Sequence, residues 1–106
     1  MNKMAIKVTT QIGTSGGITN QAYIRIGLYS IDKINSIVRF NLEIYNQESD
    51  KSNKDNMVTN KQIGSFVYEK VTNFTTYESE DIFTAGYSKL RTHLQNIYGP
   101  SSTVDC

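Results

Sequence analysis

The chain has 106 residues, 38% of them hydrophobic, with seven tyrosines, no tryptophan and a net charge of +1. That length predicts a single domain with a thin core, and eleven basic against ten acidic residues exclude the polycation signature of a nonspecific nucleic-acid binder. No apolar run approaches the roughly 20 residues of a membrane span, and the single cysteine, Cys106, excludes an internal disulfide.

The opening residues 1–7 lack the apolar stretch of a signal peptide, which points to a protein made and kept, or assembled, in a cytoplasm. Met4 to Ile12 reads as a first strand, with Met4, Ile6, Val8, Thr10 and Ile12 on one face and Lys7 at an outward or edge position. Gly13-Thr14-Ser15-Gly16-Gly17 reads as a turn or flexible junction. It lacks the spacing and the terminal Lys-Ser/Thr of a phosphate-binding loop.

Ala22 to Asn46 is the stretch on which the chain is organised. Ala22, Ile24, Ile26 and Leu28 alternate with Tyr23, Arg25, Gly27 and Tyr29. Val38, Phe40, Leu42 and Ile44 alternate with Arg39, Asn41, Glu43 and Tyr45. Period-two alternation of this length predicts an antiparallel pair with one buried face. Asp32-Lys33-Ile34-Asn35-Ser36 supplies the turn, with Ile31, Ile34 and Ile37 around it, either exposed at the tip or folded back onto the core. Arg25 and Arg39 each call for an acidic neighbour such as Glu43 or Glu69, or mark a polar face that meets another subunit.

Gln47 to Asn60 is almost devoid of apolar residues. A tract of this length suits a mobile loop, or one ordered by a neighbour in an assembly. Its Asp and Asn residues do not follow the order of a calcium-binding EF-hand loop. Lys61 to Thr72 reads as a fourth strand, with Ile63, Val67 and Val71 on one parity and Phe66 and Tyr68 on the other, hence covered on two sides. Asn73 to Ser79 reads as a connector.

The clearest helix follows. Ile82, Phe83, Tyr87, Leu90, Leu94, Ile97 and Tyr98 recur at three- and four-residue steps and form one apolar stripe. Ser79 is the candidate N-cap, Glu78, Glu80 and Asp81 match the positive end of the dipole, and Gly99-Pro100 is the stop. The tail from Ser101 to Cys106 carries little signal.

Candidate chemistry is sparse. His93 falls off the apolar stripe and reads as a solvated side chain, with neither a nucleophile nor an orienting partner nominated beside it. One histidine and one cysteine do not make a metal site. The expectation is therefore no catalytic, cofactor-binding or metal-binding residues, no cofactor and no enzyme activity. Tyr23, Arg25, Tyr29, Ile34, Arg39, Tyr45, Met57, Phe66 and Tyr68 are the candidate interface, because tyrosine combines apolar area with a polar tip.

The opening strand, the Gly-rich turn and Ile18-Thr19-Asn20-Gln21-Ala22-Tyr23-Ile24-Arg25-Ile26 resemble the start of short structural proteins of tailed bacteriophages. A second strand such as Arg39-Phe40-Asn41-Leu42-Glu43-Ile44-Tyr45, a variable polar loop and a C-terminal helix like Ile82 to Tyr98 continue that likeness over most of the chain. It is a likeness of arrangement, without a sharp motif. The resemblance implies a multicopy virion component of the tail, neck, collar or baseplate, forming a ring or adaptor, with no enzymatic activity.

These readings converge on an α+β fold in one domain, residues 1–106: a mostly antiparallel sheet of about four strands with one C-terminal amphipathic helix packed on it. A small β-sandwich closed by the helix is the alternative. The expected function is a non-catalytic structural assembly protein of a phage particle. Its partners are other virion proteins and copies of itself, with no direct nucleic-acid or membrane contact. β-Augmentation at a strand edge is one route to such contacts. The alternative function is a small intracellular binding module or regulator that docks a protein through its Tyr-lined sheet.

Overall fold

Two long strands form the frame. In the computed structural model, which describes residues 5–71 and 82–106, β4 (Ala22–Asp32) and β5 (Ile37–Tyr45) pair antiparallel along their length. Alternating β-branched and aromatic residues suit this pleated surface. The shorter strands are β1 (Ile6–Val8), β2 (Ile12–Thr14), β3 (Gly17–Thr19), β6 (Phe66–Lys70) and β7 (Thr103–Asp105). Five of the strands form one antiparallel sheet in the order β6-β5-β4-β1-β7, while β2 and β3 form a separate hairpin.

The helix Ile82–Tyr98 lies across one face of that sheet. Tyr87, Leu90 and Leu94 of its stripe are buried against Ile6, Val8, Ile24, Ile26, Val38, Phe40 and Leu42. The architecture is therefore α+β, a sheet with one C-terminal helix packed on it, and not a sandwich. Gly99 ends the helix at φ 86°, a left-handed conformation that glycine adopts without a Cβ penalty. Gly86 lets the helix approach closely. A Cβ there would stand 2.7 Å from two ring carbons of Phe40 and 2.8 Å from Cδ1 of Ile26.

Several sequence expectations need correction. The first strand is not continuous from Met4 to Ile12, because β1 ends at Val8 and Ile12 begins the β2–β3 hairpin. Of the two positions expected for Lys7, the edge is overturned, since the tail forms β7 and covers the outer side of β1, while Lys7 alternates outward between the buried Ile6 and Val8. The strand expected over Lys61 to Thr72 is confined to Phe66–Lys70, and Ile63 is buried from a turn. His93 is half-buried, and its Nε2 lies 2.9 Å from the Ile63 carbonyl, holding that turn against the helix. Met4, Thr72, the connector Asn73 to Ser79, the N-cap Ser79 and the acidic residues Glu78, Glu80 and Asp81 lie outside the described residues.

The polar tract folds into two short 3-10 turns, Glu48–Ser52 and Lys54–Asn56. Local side-chain bonds build them. The Asn53 side-chain Oδ1, for example, accepts from the Asp55 N–H at 2.9 Å, the kind of bond that makes Asn and Asp good turn formers. The tract then returns to the sheet, where the Val58 N–H donates to the Ile44 carbonyl at 2.8 Å.

Candidate functional site

The two faces of the sheet have different fates, and a β-bulge divides them. Ile26 stands opposite Leu42, but the next pair is Leu28 with Asn41. Gly27 is thus the extra residue of the bulge. It has room there only without a side chain, because a Cβ would collide with the Glu43 carboxylate. The bulge reverses the parity of β4. Before it, Ile24 and Ile26 face the helix; after it, Tyr29 and Ile31 do so, paired with Phe40 and Val38. Leu28, Ser30 and Asp32 turn to the opposite face.

Before the bulge, that opposite face is covered. Tyr23 and Tyr45 are buried with Ala5, and Cys106 packs against them. Lys51 of the first 3-10 turn lies over the Tyr23 ring at 5.2 Å, and Arg25 donates to the Lys51 carbonyl at 3.4 Å. Arg25 Nε and the Tyr45 hydroxyl both donate to Oε1 of Glu43, at 2.8 and 2.9 Å. Burial pushes the Glu43 carboxyl pKa up, but hydrogen bonds from Arg25 and Tyr45, with the charges of Arg25 and Lys54, outweigh it and hold it below 4.5. The hydrogen bond to Glu43 raises the Arg25 pKa, and burial raises that of Tyr45. Tyr23 and Tyr45 are therefore internal packing and not free interface. Arg25 is the direct cross-strand partner of Glu43.

After the bulge, the same face is open. Three cross-strand rows line it: Leu28, Asn41 and Phe66; Ser30, Arg39 and Tyr68; Asp32, Ile37 and Lys70. Phe66 and Tyr68 are 39% and 50% exposed, and Leu28 is exposed as well. The Arg39 guanidinium stands 4.0 Å from the Phe66 ring centroid and donates from Nε to Asn41 Oδ1 at 3.2 Å. The Phe66 and Tyr68 rings lie 6.1 Å apart. Ser30, Asp32, Ile37, Arg39, Phe66 and Tyr68 enclose an open-sided concavity of about 330 Å³. Aromatics and arginine with apolar neighbours are the composition of binding hot spots.

Beyond this face is the hairpin tip, where Ile34 is 95% exposed. The Asp32 carboxylate accepts from the Ile34 and Asn35 N–H groups and from the Asn35 side chain. These bonds, that of the Asn35 side chain foremost, lower its pKa. Of the candidate residues, Arg39, Phe66 and Tyr68 come together on the open face. Ile34 marks the tip. Tyr29 lies on the opposite, helix-facing side of the sheet, edge-on to Phe83 at 5.4 Å. Met57 is exposed but belongs to the polar tract. Leu28, Ile37, Ser30 and Asp32 also belong to the face. The signal that could have found them is Gly27 inside a strand, a mark of a bulge.

Among the described residues, no three His, Cys, Asp or Glu side chains gather to hold a metal ion, and no helix is long and apolar enough to cross a membrane. No protein-family model, no curated protein and no solved structure matches the chain.

Proposed function

We propose that this protein is a non-catalytic structural subunit that assembles with other chains through the open face of its β4–β5–β6 arm. The observation that carries the reading is the set of Leu28, Arg39, Phe66 and Tyr68, exposed together beside the half-buried Ile37 on three paired strands. Exposed aromatic area of this kind is stabilised when another surface covers it. The exposed Ile34 extends that apolar area to the tip of the arm. The virion setting, as a multicopy tail, neck or collar component of a tailed phage, rests on the resemblance in arrangement described above.

Sedimentation velocity on the purified protein tests the assembly reading. The expected result is a defined multimer that dissociates when Phe66 and Tyr68 are both replaced by Ala. A monomer at every concentration that binds one soluble partner would favour the binding-module alternative. Quantitative mass spectrometry of purified particles tests the setting, with a fixed stoichiometry expected.

A further inference from the structure

We infer that β6 is a self-pairing edge, joining two copies of this chain antiparallel about a twofold axis at Tyr68; the inference rests on the assembly reading above and names its first contact. The hydrogen-bond parity of the strand carries it. Leu42 N–H donates to the Ser65 carbonyl, and Val71 N–H donates to the Ser36 carbonyl. These bonds flank β6 and fix its phase, so Val67 and Glu69 make the ladder with β5. The N–H and carbonyl groups of Phe66, Tyr68 and Lys70 therefore point away from β5, along the outer edge of the sheet.

A second β6 running antiparallel matches that edge in full when Tyr68 faces its own mate. Tyr68 then exchanges both bonds with Tyr68 of the second copy. Each Phe66 exchanges both with Lys70 opposite. Every outward group of the strand is paired, as a self-complementary interface requires. The side chains agree with this register. Lys70 comes to stand beside a Phe66 ring, a cation–π arrangement. Glu69 stands opposite Val67, and no like charges stand directly opposite one another. On the open face, the two Phe66–Tyr68 pairs merge into one aromatic stripe flanked by both Arg39 side chains. Sliding the register to put Glu69 or Lys70 on the axis would set like charges face to face and leave edge groups unpaired.

The other edges suit this role less. β7 has only three residues. Along the side of β4 that β1 leaves uncovered, the Ile26 N–H is already bonded to the Tyr87 hydroxyl. Among the described residues no strand pairs with the outer side of β6, and open edges invite such pairing.

Two variants test the register. In a Cys106→Ser background, Tyr68→Cys places two thiols on the axis. A hydrogen-bonded antiparallel pair holds its Cα atoms about 5.5 Å apart, within disulfide reach. Mild oxidation should give a covalent dimer on a non-reducing gel, whereas Tyr29→Cys in the same background should not. Tyr68→Glu sets two carboxylates against each other and should weaken self-association by about tenfold or more, while the far-UV circular dichroism stays that of the wild type. If the wild-type protein multimerises but neither substitution has its effect, the β6 interface is wrong and the assembly reading stands. If the wild-type protein is monomeric at every concentration, both fall.

Discussion

The backbone N–H of Ile26 donates to the Tyr87 hydroxyl at 3.0 Å in the buried interior. The bond ties the last paired residue before the β4 bulge to the middle of the helix. β1 pairs with β4 only as far as Ile24, so no strand of the sheet bonds this amide, and a helix side chain does so instead. Burial raises the Tyr87 pKa, against the lowering effect of the Ile26 bond, so the hydroxyl stays neutral and in place. Tyr87→Phe keeps the ring and orphans the amide. A loss of about 1–3 kcal/mol is expected, measured by urea denaturation.

Gly86 is one residue away, and there two effects of opposite sign compete. Gly86→Ala gains about 1 kcal/mol of helix propensity. The new methyl group would stand 2.7 Å from the ring of Phe40, which is fully buried and cannot swing aside. Overpacking of this kind costs about 1–3 kcal/mol, so steric strain should win and the variant should be less stable by about 1 kcal/mol. Leu90→Ala, at a fully buried position, should lose roughly 2–5 kcal/mol. The same denaturation series ranks the two. A Gly86→Ala protein more stable than wild type would mean that the helix and sheet are not in close contact.

The elements with long periods were legible in the sequence. The β4–β5 pair and the helix stripe at Tyr87, Leu90 and Leu94 each repeat often enough to overrule local ambiguity. The bulge left only one mark, Gly27 inside a strand, which the alternation itself does not register. Ile26-Gly27-Leu28 continues the alternation without a break, so Leu28 read as core although it is 55% exposed. Tyr23 and Tyr45 read as outward for a related reason. Parity does place them on the face away from the helix, but Ala5, Cys106 and Lys51 of the polar tract cover them, and no apolar period announces those contacts. β7 escaped because three residues are too few to show a period. The open face was half legible: Arg39, Phe66 and Tyr68 were singled out, while Leu28 and Ile37 depend on the bulge and the cross-strand register.

Acid should weaken the covered face through Glu43. Its folded pKa lies below the ordinary 4.5, so the unfolded chain takes up this proton at higher pH than the folded one. The stabilisation is therefore complete above about 4.5 and is lost as pH falls through the folded value. Glu43→Gln should cost about 1–2 kcal/mol at neutral pH, allowing for the solvent that reaches Arg25. Below pH 4.5 its stability should fall less steeply than that of the wild type. The slope should not vanish, because the Asp32 carboxyl is also depressed, chiefly by Asn35. Equilibrium denaturation between pH 3 and pH 7 gives both slopes, and parallel slopes would remove Glu43 from the acid limb.

Arg91 and Asp105 join the helix to the last strand. The guanidinium donates from Nε and from its terminal nitrogen to the two carboxylate oxygens, at 3.1 and 3.0 Å. Both side chains are about two-fifths exposed, so solvent screens the pair and its global contribution should be only about 0.2–1 kcal/mol. Its local effect should be larger, because β7 is short and terminal. Its neighbouring backbone contact is the reciprocal pair of bonds between Ala5 and Cys106, at 3.1 and 2.9 Å. Arg91→Ala should therefore leave the denaturation midpoint nearly unchanged while the amides of Ala5 and Cys106 exchange faster with solvent deuterium. A double-mutant cycle with Asp105→Asn separates the pair from each residue's other contacts. Unchanged exchange at both amides would show that the ladder with β1 holds the tail without help from the helix.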